Sequence, residues 1–199
     1  MVRYFKNKFW FKTGNKKIGE DTIVFSFTSA KDCPSRKLGL CQVPKHCYSD
    51  KAERMYKTTL PYREKQATQW DKLSVSEIHQ ELMIALDKHP EIKFIRFSEN
   101  GDFRNFYDVM KLKVLCGFLS TSHPDVKIYG FTARKDLMDF FKAKPSNLTI
   151  NGSGFKVDNS FTVISKEEAT EHKLVCPGDC RTCSLCKTAG NRDIKVVLH

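Results

Sequence analysis

The sequence lacks any run of about eighteen apolar residues, the minimum that suggests a membrane-spanning helix. Its start, MVRYFKNKFWFK, is basic and aromatic and has neither the apolar stretch nor the small-residue cleavage site of a signal peptide. We find no internal repeat and no low-complexity segment. These absences predict a cytoplasmic protein without a membrane partner, in a compartment where thiols stay reduced.

Several common functional motifs are also absent. There is no Walker phosphate loop, no G-x-S-x-G turn and no H-E-x-x-H helix. No basic helix or RNP-like motif indicates a dedicated nucleic-acid module. The usual signatures of nucleotide hydrolases, serine hydrolases and zinc proteases are therefore missing.

What is present is a hydrophobic core and a strongly basic surface. The 199 residues include 40% hydrophobic residues and fifteen Phe, enough for one domain with a packed interior. The net charge of +11 attracts polyanions, so nucleic acid is one predicted partner. An ordinary solvated basic surface is the alternative.

The eight cysteines are the most distinctive feature. Cys116 stands alone in an apolar helical pattern, where cysteine usually behaves as a small buried hydrophobe. A cytosolic chain with a core does not need disulfides, so the other seven favour metal binding. They form two clusters: Cys33, Cys41 and Cys47, then Cys176, Cys180, Cys183 and Cys186.

The C-terminal cluster, CPGDCRTCSLC, lacks the long separator usual between two zinc-binding cysteine pairs. Short C-x2-C-x2-C runs are typical of iron–sulfur ligation. In ferredoxins the fourth cysteine of such a run serves a different cluster, so these four thiolates need not share one.

The first cluster supplies only three cysteines from a loop shaped by Pro34, Gly39 and Pro44. Three ligands on a four-iron cluster leave one iron open, and an open metal position can bind substrate. The alternative is a structural metal knot completed by a remote side chain such as His46, which lies beside Cys47.

Hydrophobic periodicity predicts an α/β fold. Buried strands are predicted at 22–29, 92–98, 126–132, 147–152, 160–165 and 193–199, and helices at 74–89, 105–122, 133–144 and 166–172, with an interrupted helix at 48–70. Alternating strands and helices indicate βαβ units and a parallel sheet. We divide the chain into a basic arm or hairpin at 1–20, a core at 21–170 and a C-terminal cysteine segment with a final strand at 171–199.

The loops after the predicted strands should meet at one edge of the sheet, where ligands gather in such folds. The first cysteine loop is one of them. In SENGDF, Gly101 permits close backbone approach, and Glu99 and Asp102 offer carboxylates. YGFTAR adds Thr132 and Arg134. A turn and ordinary helix caps are the alternative interpretation.

The stretches TSAKDCPSRKLGLCQVPKHCYSDKAE, FIRFSENGDF, DVKIYGFTAR and CPGDCRTCSLC together resemble the phage gene product 88 family over roughly residues 15–199. That family in turn looks like a small branch of the radical S-adenosylmethionine (SAM) proteins. The resemblance implies a partial (β/α) barrel with a C-terminal cysteine-rich segment, in the host cytoplasm if the protein is phage-encoded.

The resemblance also implies roles for residues. Cys33, Cys41 and Cys47 would ligate a 4Fe-4S cluster whose open iron chelates SAM, and the four C-terminal cysteines would bind an auxiliary cluster. Glu99, Gly101 and Asp102 would lie near the SAM amine, with Thr132 and Arg134 as ribose or carboxylate contacts. The spacing C-x7-C-x5-C departs from the usual C-x3-C-x2-C, and the second motif has one glycine instead of two.

Two functions follow. The favoured one is an iron–sulfur enzyme of the radical SAM kind that depends on a redox partner. The sequence does not indicate its substrate. The other is a non-enzymatic basic module, stabilised by zinc or an iron–sulfur cluster, that binds nucleic acid or a host protein.

Overall fold

The computed structural model describes residues 1–198, so the last residue of the predicted final strand, His199, lies outside the described residues. Eight strands form one sheet in the order of the sequence. They are β1 Tyr4–Lys6, β2 Trp10–Thr13, β3 Thr22–Val24, β4 Phe94–Phe97, β5 Lys127–Thr132, β6 Leu148–Ser153, β7 Asn159–Ile164 and β8 Asp193–Val197.

Helices connect most of these strands. The α-helices are α1 Pro34–Lys37, α2 Tyr48–Met55, α3 Thr59–Lys72, α4 Val75–Lys88 and α5 Phe106–Ser122. Short 3-10 helices span Pro44–His46, Lys135–Phe141 and Glu168–Glu171. None of the helices in residues 1–198 is both long and apolar enough to cross a membrane.

The sheet is mostly parallel, as the alternation of strands and helices predicts. β1 and β2 form an antiparallel hairpin that pairs with β3, and β3 to β8 run parallel. β1 and β8 are the two ends of the strand order, so the sheet is not closed. The predicted mixed α/β class is confirmed, whereas only the sequential order of the parallel strands corresponds to the expected barrel.

The helices cover one face of this sheet. Ile95 and Phe97 of β4 point into the same buried cluster as Ile78 and Leu82 of α4 and Leu112 of α5. The N-terminus of α4 is fixed by a capping box. Burying each such aliphatic or aromatic side chain contributes about 1.5–3 kcal/mol, so this layer supplies much of the stability.

Three local predictions are only partly correct. The sequence predicts that Pro61 interrupts the helix at 48–70, but the interruption falls at residues 56–58, because Pro61 is tolerated in the first turn of α3. The predicted helix at 133–144 is the 3-10 helix Lys135–Phe141, which lacks a side-chain cap and is followed by Ala143 with φ of 46°. The short helix predicted at 166–172 is present as the 3-10 turn Glu168–Glu171.

The opposite face of the sheet carries alternating aromatic and polar side chains. Tyr129 packs edge-on against Phe94 and Phe131, and Phe131 packs edge-on against Phe161. The guanidinium carbon of Arg96 lies 5.0 Å from the centre of the Phe131 ring. We call this face, which does not pack against α4 and α5, the inner face. Both cysteine segments contact it.

Candidate metal centres

The first cysteine segment, residues 33–47, follows the first parallel strand and is built around two helix starts. Cys33 immediately precedes α1 and Cys47 immediately precedes α2. The backbone amides of Leu40 and Cys41 both donate to the carbonyl of Ser35, at 2.9 and 3.1 Å. This fold-back returns Cys41 towards Cys33, so the three thiols are held by local backbone structure.

Asp102 fastens this segment to the carboxyl ends of β4 and β5. One carboxylate oxygen accepts from the Ser35 hydroxyl at 2.6 Å and from the amide of Ala133 at 2.7 Å. The other accepts from the Thr132 hydroxyl at 2.7 Å and from the amide of Phe103 at 2.8 Å. The three loops that were predicted to meet at this edge therefore do meet, around one buried carboxylate.

The middle of the segment reaches the far side of the parallel sheet. The Gln42 amide nitrogen donates to the Ser153 hydroxyl at 2.8 Å and to the carbonyl of Phe161 at 3.1 Å. Its oxygen accepts from the amide of Val163 at 3.3 Å. The segment thus spans the inner face from β3 to the ends of β6 and β7.

The thiols of this segment are half-buried or buried, and their surroundings raise the pKa of two of them. Burial raises the pKa of Cys33 to about 11, and Asp102 and Cys41 add to the rise. Burial also raises the pKa of Cys41, with a contribution from Cys47. Without a bound cation, the two more buried thiols stay protonated at neutral pH.

The other residues predicted at this edge are engaged with the protein. Glu99 pairs with Lys12 at 3.1 Å. A side chain on Gly101, whose φ is 63°, would lie 2.4 Å from Thr28 Cγ2, so this glycine lets the two loops touch. Arg134 donates to the carbonyls of Phe103 and Arg104 and pairs with Asp136. Their predicted contacts with SAM stay predictions.

Backbone strain marks the same edge. Ser98, directly after β4, has φ of 51°, and its buried hydroxyl has no hydrogen-bond partner within residues 1–198. Strained residues at strand ends often belong to functional sites. Sequence periodicity gave no sign of this position.

The C-terminal cysteine segment, residues 176–186, surrounds a small cavity of about 20 Å³. All four of its cysteines line the cavity, together with Phe161 and Ile194 of the sheet. The amide of Cys176 donates to Lys195 of β8 at 2.7 Å, and that of Cys180 to Lys17, before β3, at 2.8 Å. The segment therefore connects the β8 edge to the region preceding β3.

Burial and neighbouring sulfurs also raise the pKa of two of these thiols. The pKa of Cys186 is raised to about 12 by burial and by Cys180, Cys176 and Cys183. The pKa of Cys180 is raised by burial, while Arg96 opposes the rise. The four thiols thus line one cavity, near the guanidinium of Arg96.

Arg96 is the functional candidate that sequence reasoning missed. Its guanidinium lies over the Phe131 ring on the inner face, and its charge interacts with Tyr48, next to Cys47, and with Cys180. Its Nε and the hydroxyl of the fully buried Tyr129 have no hydrogen-bond partner within residues 1–198. The available signal was a charged residue in the middle of the apolar strand FIRF.

The donor set fits iron–sulfur ligation in its chemistry, since both groups are made of thiols alone. Among residues 1–198, no three His, Cys, Asp or Glu side chains are grouped closely enough to hold a single metal ion. His46, the predicted alternative ligand, is exposed. Cys116, on the core-facing side of α5, is fully buried, as its apolar surroundings predicted.

Comparison with known families identifies the chain. The profile of the family described as gene product 88 matches residues 7–195. The protein belongs to the gene product 88 family. No curated protein and no solved structure matches it. The predicted membership in this phage family is confirmed, whereas the link from the family to radical SAM proteins stays a prediction.

Proposed function

We propose that this gene product 88 protein is an iron–sulfur protein, with one cluster on Cys33, Cys41 and Cys47 and an auxiliary cluster on the four C-terminal cysteines. The observation that carries the proposal is the position of the first segment. It follows the first of six sequential parallel strands and lies at the edge where ligands of such sheets bind.

We further propose radical SAM-like chemistry at this edge. An iron–sulfur cluster with an open iron supplies one-electron chemistry and a place for a small molecule. The protein's own contribution is to fix the segment. Asp102, with four donors already bound, is a positioning residue for the loop, and Gln42 holds its middle over β6 and β7.

The spacing of the C-terminal cysteines bears on which segment holds which cluster. Cys176, Cys180 and Cys183 follow C-x3-C-x2-C, the spacing usual in radical SAM loops, but Cys186 lines the same cavity. A fourth thiolate fills the position that would otherwise stay open. This supports an auxiliary role for the C-terminal group and an open cluster on the first segment.

The test is to prepare three proteins anaerobically: the parent chain, Cys47→Ser and Cys116→Ser. We expect Cys47→Ser to lose about half of the iron and sulfide, since one of two clusters would fail to form. Cys116→Ser should keep all of it, because Cys116 lies in the core. Equal iron in the parent and Cys47→Ser would contradict the assignment.

SAM use is tested separately on the iron-loaded parent protein. Chemical reduction in the presence of SAM should yield 5′-deoxyadenosine, and Cys47→Ser should yield none. Intact clusters without that product would refute the radical SAM part and leave the iron–sulfur part standing.

A second candidate function is a metal-stabilised binding module without catalysis. The observation in its favour is that the C-terminal segment ties β8 to the residues before β3, as a structural metal site would. A colourless protein with stoichiometric zinc, whose melting temperature falls on chelation, would support this candidate over the enzyme.

A further inference from the structure

A basic, aromatic cleft lies beside the first cysteine segment and has no assigned role. It encloses about 690 Å³ between the β1–β2 hairpin, the start of α3 and the loop after β4. We propose that this cleft binds single-stranded nucleic acid. The inference goes beyond the proposed function and does not depend on any metal.

The charges in the cleft are unbalanced. Lys6, Lys57 and Lys65 line it and are exposed, and none makes an ion pair within residues 1–198. The one carboxylate in the lining, Glu99, is neutralised by Lys12 at 3.1 Å. Three free ammonium groups around one cleft are suited to consecutive phosphates.

Aromatic rings stand among these lysines. Tyr4 is 58% exposed, and its ring meets that of Tyr62 edge-on at 5.7 Å. Tyr62 also contacts Trp10 at 5.7 Å. Lys6 lies 5.2 Å from the centre of the Trp10 ring, and Lys65 lies 5.8 Å from it.

A base can displace these lysines from the rings. An exposed cation–π contact is worth about 0.5–1 kcal/mol, whereas stacking a base on an aromatic side chain is worth about 1–3 kcal/mol. A phosphate would attract the displaced ammonium group at the same time. Stacking needs a base with a free face, which a single strand offers and a duplex does not.

The floor of the cleft holds unpaired polar groups. Asn100 is 3% exposed, and its side-chain oxygen has no hydrogen-bond partner within residues 1–198. The hydroxyl of Tyr62 is also buried without a partner there. Both residues line the cleft, and a buried polar group without a partner calls for a ligand or water.

Trp10 provides a direct probe of binding. The protein has two tryptophans, and Trp70 is fully buried with its indole nitrogen bonded to Asp108. Titration with a deoxythymidine strand of about twelve nucleotides should quench the fluorescence of Trp10. Trp10→Phe should lose the quenching and keep binding by anisotropy, because a ring remains for stacking.

Matched variants then test the site. Lys6, Lys57 and Lys65 are changed together to Gln, and Lys88, Lys135 and Lys166, exposed lysines elsewhere, form the control triple. The cleft triple should weaken binding at least tenfold and reduce the slope of log K against log salt by roughly 2, at about 0.7 per lost phosphate contact. The control triple should change affinity less than threefold.

The stacking part is tested without changing charge. Tyr4→Ala should weaken strand binding by about 5- to 150-fold, while Tyr4→Phe should retain it. Equal loss in both triples, a duplex of the same length binding as tightly as the strand, or displacement of the strand by an equimolar mononucleotide would each overturn the proposal.

Discussion

The role of Asp102 can be tested by changing its carboxylate to an amide of the same shape. Each carboxylate oxygen accepts one hydroxyl and one backbone amide. In Asp102→Asn, the new amide nitrogen must face either the amide of Ala133 or that of Phe103. The neighbouring hydroxyl can rotate and accept, but the backbone amide cannot.

One buried backbone amide is therefore left without an acceptor in either orientation of the new side chain. Such a loss costs about 1–3 kcal/mol of unfolding free energy. Asp102→Ala leaves both amides unpaired and should cost roughly twice as much. Urea unfolding of the metal-free protein, followed by circular dichroism, measures both values.

Asp139→Asn is the control, because Asp139 is exposed and forms only a surface pair with Lys142. It should change stability by less than about 0.5 kcal/mol. If Asp102→Asn is as mild as Asp139→Asn, the carboxylate does not hold the three loops together and the account of this edge is wrong.

Glycine and cap substitutions test the same structure elsewhere. Gly101→Ala should lower the free energy of unfolding, measured in urea, by more than Gly39→Ala does. Both glycines have positive φ, a conformation that costs a residue with a side chain about 1–2 kcal/mol. Only at position 101 would the new methyl group also press against Thr28. Gly117→Ala should stabilise by about 0.5–1 kcal/mol, since this helical glycine has open space; a loss there would indicate hidden packing on α5. Ser74→Ala should lower the melting temperature by removing the capping box, worth about 1 kcal/mol, and no change would mean that α4 is held by packing alone.

Local sequence patterns were sufficient for the order of the elements but not for their ends. The 22–29 strand was predicted from its apolar and β-branched residues, yet pairing with β4 ends at Val24. Beyond that point, Phe25 and Phe27 are buried because both pack on Trp70, and Phe27 also packs on Phe103. Burial alone does not distinguish a paired strand from such a segment.

The meeting of three loops at one edge followed from the parallel part of the sheet, since β3 to β8 all end on the same side. The sequence did not predict that protein donors would fill all the hydrogen-bonding positions of Asp102. Two of these donors, Ser35 and Ala133, are distant from it in the chain, so their positions depend on the tertiary fold. The position of the C-terminal segment on the sheet could not be predicted from the sequence either. Its anchors, Lys17 and Lys195, are remote from each other in the chain.

The most direct test of the central claim is the iron and inorganic sulfide content of the full chain after anaerobic purification, with Mössbauer spectra of the iron. Two four-iron clusters on seven cysteines predict about eight iron and eight sulfide per chain, in brown protein. Protein that contains no sulfide, or that carries one zinc ion per chain and no iron, would contradict the account.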